Sequence, residues 1–472
     1  MLVVIAGAGR VGLGLAEALI KEQKNDVVLL DMNSRAVKNA QAFDMLVLHG
    51  DMLDRQALVE AGIERADVFI AATDKDDRNV LACGLAKHLH EHRGGKREDL
   101  LTICRIRDET ILDEQAHGGL AAWAEVDRAI DPIDGAISRL SSGIRASSFA
   151  EVIPFDHEAY LVELEITEDC RLPLDVPLAD VEVEAGSPVP LLIGLKRKGT
   201  RSIVPSGTTV LRPGDRIAVA TTGLGSFDDL VHTFGHDVRA FPAQPKVVVV
   251  GGSRLGLRIA EHWLDEGAHV MIVEGDLQTA NAISGHRIGG HPELEVIHGD
   301  HVSRETMEEV GMGGMDVAVG ALDDDHANIA AMLFAMDLGV PNTGLILNDN
   351  DLVHVVQRMG ISFSVDITRV AVDELLTLVH RKLAGHYAVL STIPNVVGVT
   401  HEVTKAAKFC GRRIREGGFP DWMRIAFIQR SDSHGRWSSH DPHPDETLIE
   451  HDRLIIFTSP DHVADVEKKF RV

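Results

Sequence analysis

Residues 7–19 read GAGRVGLGLAEAL, and residues 251–263 read GGSRLGLRIAEHW. The two stretches agree at Gly7/Gly251, Arg10/Arg254, Gly12/Gly256, Leu13/Leu257, Ala16/Ala260 and Glu17/Glu261. Each follows a short apolar run, Leu2–Ala6 or Val247–Val250, of the kind a buried parallel strand supplies. Each precedes a second apolar run that ends on an acid, VVLLD at Asp31 and VMIVE at Glu274. His-Gly-Asp follows in both, at His49-Gly50-Asp51 and His298-Gly299-Asp300. A strand-like run into an acidic turn comes next, ADVFIAATDKDDRN ending at Asn79 and MDVAVGALDDDHAN ending at Asn328. Four blocks in one order, repeated at a spacing too long for a solenoid, indicate a duplicated domain.

The glycine spacing carries a mechanism. Gly7-Ala8-Gly9-Arg10-Val11-Gly12 fits G-x-G-x-x-G between a strand and a helix. Gly7 permits the tight turn, Gly9 removes the side chain that would block a pyrophosphate, and Gly12 lets the helix pack on the strand. The helix N-terminus then offers free N–H groups to an anion. Asp31, at the end of the second strand, suits the ribose hydroxyls and repels a 2′-phosphate, which favours NAD or NADH, or ADP or ATP, over NADP. Asp51 with Met52 follows the third strand, where adenine would lie. Thr73-Asp74 ends the fourth, at the carboxyl edge where ligands bind. Arg105 and Arg107, two apart on one face of a strand, suit phosphate neutralisation.

The second copy departs from this pattern. Gly251, Gly252, Ser253, Arg254 and Leu255 form its turn, with Glu274 and Asp300 retained. Ser253 replaces the middle glycine, Leu322 replaces Thr73, and Leu345 and Leu347 are read in the places of Arg105 and Arg107. A second site of this composition is expected to bind more weakly or to take a different ligand.

Strand and helix patterns alternate to about residue 145 and again to about residue 385, as βαβ units with a parallel sheet require. Short β-rich runs with Pro and Gly turns follow each time: AYLVELEI, LLIGLKRKGT and RIAVAT, then MRIAFIQRS and RLIIFTS. The expected fold is α/β: two tandem Rossmann-like domains, 1–148 and 246–386, each followed by a small α+β domain, 149–235 and 387–472. Phe241-Pro242-Ala243-Gln244-Pro245 reads as the linker between halves.

Composition bounds the rest. In 472 residues, 47 Lys and Arg against 72 Asp and Glu give a net charge of −25. That argues against nucleic-acid binding and against a polybasic lipid anchor. Aromatics at 4% argue against a base-stacking platform. No window approaches the roughly 18 apolar residues of a membrane span. Met1–Gly7 reads as a strand and not a signal peptide. Cys83, Cys104, Cys170 and Cys410 form no C-x-x-C pair, which fits a reducing cytoplasm and no zinc site. His88, His90 and His92 read as a solvated helix end. His434, His440 and His443, with Asp441 and Asp445, fit no standard metal spacing.

The order GxGRxG…D…HGD…ATDxDxxN…RxR, followed by a β-rich module with the Arg212-Pro213-Gly214-Asp215-Arg216-Ile217 turn, resembles the regulator-of-potassium-conductance (RCK, or KTN) domain family. Two copies in one chain are similar to the nucleotide-binding regulatory subunits of the bacterial Trk potassium-uptake system. The resemblance covers essentially the whole chain. It implies RCK N-type and C-type domains in alternation and a homotetrameric ring. It further implies docking at the inner face of the cell membrane through a Trk-type potassium transporter, and gating by NAD(H) or adenine nucleotide. By position, Gly7 to Val11, Asp31, Asp51 and Thr73 would meet nucleotide, with Arg105 at phosphate. The run from His434 to Glu446 departs from the C-type pattern. With no catalytic constellation evident, the expectation is a sensor and not an enzyme. An NAD-dependent oxidoreductase, or a regulator of another cation channel or antiporter, is the alternative.

Overall fold

The computed structural model describes residues 1–470 except 22–24, 93, 146–147, 156–157, 186–188, 237–240, 302, 380–387, 390–392, 394 and 433–434. The first sheet holds β1 (Leu2–Ala6), β2 (Asp26–Asp31), β3 (Leu46–His49), β4 (Val68–Ala71), β5 (Leu101–Arg105) and β6 (Arg128–Ile130). They run parallel in the order β3-β2-β1-β4-β5-β6. An antiparallel sheet follows, of β7 (Glu151–Phe155), β8 (Ala159–Glu165), β9 (Leu191–Lys196) and β10 (Arg216–Thr222), ordered β7-β8-β10-β9. The second half repeats the plan with β11 (Lys246–Val250), β12 (His269–Glu274), β13 (Leu294–His298), β14 (Val317–Gly320), β15 (Asn342–Leu347) and β16 (Phe363–Asp366). Their order is again β13-β12-β11-β14-β15-β16. The last sheet contains β17 (Ala388–Val389), β18 (Val397–Glu402), β19 (Met423–Ser431), β20 (Trp437–His440) and β21 (Arg453–Thr458).

The α/β expectation therefore holds in both halves. Val3–Ala6 and Val247–Val250 have essentially no exposed surface, because helices cover both sheet faces. The inner faces of the two antiparallel sheets share one core, in which Leu161 and Ala218 meet Phe427 and Phe457. The His/Asp/Pro-rich run 434–446, whose sequence suggests a loop, contains β20, which pairs with β19 from Ile428↔His440 to Ser431↔Trp437. His434 lies outside the described residues. His90 corrects the reading of a solvated helix end: it is 4% exposed, and its Nδ1 lies 2.9 Å from the Ile63 carbonyl.

Six helices position the rest: α1 (Arg10–Lys21), α2 (Asp76–His92), α3 (Ile133–Arg145), α4 (Arg254–Asp265), α5 (Asp325–Asp337) and α6 (Ile367–Val379). Two of them change sides. Helix α3 follows β6 in sequence yet packs on the second parallel sheet. A Cβ placed on Gly143 would stand 2.3 Å from the Phe363 ring, and one on Gly344 would stand 2.5 Å from Ile144. Leu140 and Ile144 share a core with Val247, Ile259 and Trp263. Helix α6 follows β16 and packs on the first sheet, where Ala371, Leu375 and Leu376 join Val3, Ile5, Leu15 and Leu19. The halves thus complete each other's cores.

A buried charge cluster sits where the exchanged helices meet. Arg139 on α3 donates to Asp373 on α6 at 2.7 Å and lies 3.6 Å from Glu151. Arg369 reaches Asp373 at 3.2 Å. The next residue, Glu374, crowds Gly135, and burial raises its carboxyl from the ordinary 4.5 to about 8. Removing one side of a buried pair leaves an uncompensated charge, so Asp373→Ala should cost about 3–5 kcal/mol in urea unfolding of the whole chain. A raised carboxyl works the other way. Between pH 4.5 and about 8 the folded state holds a proton that the unfolded state has released, so stability falls as pH rises through that window. Glu374→Gln should therefore raise the unfolding free energy measured in urea at pH 8 by about 1–3 kcal/mol, and change little at pH 4.

Candidate functional site

The turn after β1 is set by backbone chemistry. Gly7 has φ of 110°, and its N–H donates to the Leu30 carbonyl at 2.8 Å. A Cβ on Gly12 would stand 1.8 Å from the Gly7 carbonyl oxygen, so α1 starts this close to β1 only because residue 12 has none. A Cβ on Gly9 would meet nothing within 4 Å, which leaves the mouth of the turn open. Asp31 closes the far side: its carboxylate accepts the Ala8 N–H and the Asn33 N–H, both at 2.6 Å. Each carboxylate oxygen keeps a lone pair for a further donor. Ala8 and Val11 are buried, so only their backbone faces the turn.

The carboxyl edge of the sheet gathers around Asn79, near the start of α2. Asn79 accepts from the Thr73 hydroxyl at 2.6 Å and from the Thr73 N–H at 3.2 Å, and donates to the Arg105 carbonyl at 2.8 Å. Thr73 is held beside the turn, its methyl 3.1 Å from where a Gly7 Cβ would be. Asp76 accepts the Arg107 and Asp108 N–H groups, both at 2.8 Å. Arg105 is the last residue of β5, half-buried, and its Nε has no hydrogen-bond partner. Burial and neighbouring Arg107 pull its guanidinium below the ordinary range, against Asp131, Asp76 and Asp74 nearby. Arg107 lies beyond the strand and is exposed, so the two arginines do not form the strand-face pair expected.

Asp51 accepts the Leu53 N–H at 2.9 Å and pairs with Arg78. The Leu53 bond, with Arg78, holds its carboxyl below the ordinary range. Met52 is 6% exposed and packs in the core with Leu30 and Leu58, so its side chain does not reach the edge. Asp74 is exposed beside Lys75. Sequence reading missed Asn79, Arg78 and Asp76, although the acidic turn and its closing asparagine were visible as a repeated block.

The second turn keeps the backbone plan. Gly251 has φ of 109° and donates to the Val273 carbonyl at 2.8 Å. Glu274 accepts the Gly252 N–H at 2.6 Å and the Asp276 N–H at 2.7 Å. Asn328 takes the role of Asn79, bonding the N–H and the carbonyl of Leu322 at 2.8 Å each. Its side chains differ. Ile283 lies 2.7 Å from the Cβ position of Gly252, Leu322 lies 3.0 Å from that of Gly251, and the Ser253 hydroxyl donates to the Ala321 carbonyl at 3.0 Å. Leu255 is half-buried and Asp300 exposed. Counting from the paired asparagines, Ala327 stands where Arg78 does.

Register corrects one assignment. Ala71 pairs with Cys104, and the equivalent Gly320 pairs with Leu345. Ile346 and Asn348, and not Leu345 and Leu347, therefore occupy the positions of Arg105 and Arg107. The loss of both guanidinium groups stands.

The two turn arginines cross between halves. Arg10 reaches the Asn348 carbonyl at 2.6 Å and Asp349 at 3.0 Å. Arg254 pairs with Asp131 and, at 3.2 Å, with Glu109. The open Gly9, the Asp31 carboxylate and the unpartnered Arg105 Nε fit a dinucleotide with its pyrophosphate at the helix start. The second turn, with Leu322 for Thr73 and neither arginine, fits one less well.

The TrkA-N domain family model matches residues 3–116 and 247–366. The Trk system potassium uptake protein TrkA of Azorhizobium caulinodans is 27% identical over 492 residues, covering 100% of this chain and 99% of that one. TrkA homolog 1 of Methanosarcina mazei is 25% identical over 488 residues, with both chains covered in full. Among solved structures, the GsuK channel bound to NAD superposes with a TM-score of 0.54 at 17% identity, covering 99% of this chain and 78% of that one. The GsuK RCK domain does so with 0.52 at 17% identity, covering 99% and 94%. With a TrkA-N domain in each half and relatives aligned from end to end, the chain belongs to the TrkA family.

Proposed function

We propose that the chain is a cytoplasmic regulatory subunit that binds NAD(H) or an adenine nucleotide and gates a membrane potassium transporter of Trk type. One observation carries the reading: the open glycine turn is bounded by the Asp31 carboxylate on one side and an unsatisfied, half-buried Arg105 on the other. A half-buried guanidinium whose Nε lacks an acceptor suits an anion, and a carboxylate beside the turn suits hydroxyls. The full-length relatives named for potassium uptake support the transport role, and the NAD-bound GsuK channel supports the nucleotide.

The proposal extends to organisation. The chain divides into nucleotide-binding units at 1–148 and 246–386 and smaller units at 149–235 and 387–472. It acts as a homotetrameric ring, held at the inner membrane face by its transporter and not by lipid. No described helix is long and apolar enough to cross a membrane. Nucleotide would act by differential affinity for two ring states, with no bond made or broken. The first site is the main one. The second, with Gly251 to Leu255, Glu274 and Asp300, binds more weakly.

Whole-chain variants test this, because separated halves would lose the exchanged helices. Asp31→Ala should weaken NADH binding about 10–100-fold by calorimetry, the worth of hydrogen bonds to a charged group, and Glu274→Ala should leave the tight phase intact. The reverse pattern would place the main site in the second half. Arg105→Gln should weaken NAD and ADP by about tenfold yet leave adenosine unaffected, since only the phosphates engage it. Transport reconstituted with a Trk-type transporter should respond to nucleotide with the native chain and not with Asp31→Ala. Turnover of NADH with a carbonyl substrate would instead favour the oxidoreductase.

A further inference from the structure

The carboxyl edge of the first sheet is ringed by contacts, and one of them has no counterpart in the second half. Thr73 lies against Gly7 and bonds Asn79 at 2.6 Å. Arg78, next to Asn79 in the first turn of α2, crosses to Asp51 in the loop after β3. Gly50, next to Asp51, donates its N–H to the Asp31 carbonyl at 3.0 Å, and Asp31 accepts the Ala8 N–H back at the glycine turn. The Arg78–Asp51 pair therefore closes the ring on the side away from the glycine turn. In the second half Ala327 stands in place of Arg78 and cannot form such a pair, although Asp300 is retained.

The pair is only half used. Asp51 takes both the Leu53 N–H and Arg78 on Oδ1, so its Oδ2 has no partner among the described residues. Arg78 engages it through Nη2, so Nη1 and Nε have none among them either. The side chains keep 31% of their surface for Arg78 and 39% for Asp51, so the spare groups are open to a ligand. The Leu53 N–H and the guanidinium also hold the carboxyl below its ordinary range, so it stays a charged acceptor. An acceptor and donors thus stand side by side, fixed by a charge-assisted bond.

We infer that Arg78 sets the base specificity of this site: it holds Asp51 in place and presents with it a donor–acceptor edge that takes adenine and rejects 6-oxopurines. The inference rests on the nucleotide reading proposed above. Adenine carries its amine, a donor, beside a ring nitrogen that accepts. Asp51 Oδ2 takes the amine, and an Arg78 N–H meets the ring nitrogen. Guanine and hypoxanthine carry a carbonyl oxygen in place of the amine, which sets an acceptor against a charged acceptor. The ribose at Asp31 and the phosphates at the helix start keep the base from turning over to match. A pair that only braced the loop would leave base choice untouched.

The test is calorimetric titration of the full chain with NADH and with its hypoxanthine analogue, deamino-NADH. The native chain should bind NADH at least about tenfold more tightly, as one hydrogen bond to a charged group allows. Arg78→Ala should weaken NADH and make the two affinities equal. Ala327 shows that the equivalent turn folds with alanine there. If Arg78→Ala nonetheless misfolds, Arg78→Met decides, because it keeps the stem and removes the donors. Asp51→Asn, which replaces the charged acceptor by an amide able to donate to a carbonyl oxygen, should also abolish the preference. Asp31→Ala should weaken both dinucleotides and leave their ratio as it is. Equal binding of the two by the native chain, or a ratio that a folded Arg78 variant preserves, would overturn the inference and leave nucleotide binding standing. No saturable heat with either dinucleotide would remove the nucleotide site itself, and the inference with it.

Discussion

The exchange of α3 and α6 between the parallel sheets is the constraint on which the molecule depends. A sheet of this kind must have both faces covered, and here one of the two covering layers of each sheet takes a helix from the other half. The apolar faces of α3 and α6 are buried only when both halves are present, so the repeats are joined thermodynamically as well as covalently. The charges that accompany the exchange, Arg139, Asp373 and Arg369, lie where the swapped helices meet. Such a cluster adds little net stability over an apolar one.

The two nucleotide-type turns are unequal partners. Both keep the positive-φ glycine, the helix start and the acid that receives the next N–H. Around that shared backbone, the first turn has Gly9 open, Thr73 at the edge and Arg105 with an unsatisfied Nε, whereas the second has Ser253, Leu322 and Ile346 in those places. Arg10 and Arg254 each reach from their own turn to the carboxyl edge of the opposite sheet.

How much of this could be read in advance depended on the range of the interaction. The glycine turn, Asp31 and the four repeated blocks are local, so their spacing sufficed to place two parallel sheets and the carboxyl edge. Arg105 and Asp51 were found because they follow strand-like runs. Arg78 and Asn79 were passed over because an acidic turn gives no sign of which side chain folds back on the sheet. His90, taken for solvated among alternating histidines, is buried because Ile63, which it bonds, comes from another segment. The Leu345 and Leu347 assignment failed by one residue, since an ungapped reading cannot see where a strand pairs.

The sequence by itself determined the duplication, the α/β class and the chemistry of each turn, because these follow from residue type at fixed local spacing. Only the tertiary structure decided which helix covers which sheet, and which arginine is engaged and which is left over. Those outcomes rest on contacts between residues more than 100 positions apart, such as Arg139 with Asp373 and Arg254 with Asp131. No periodicity within a segment records the partner that an apolar stripe or a charge will meet across the molecule.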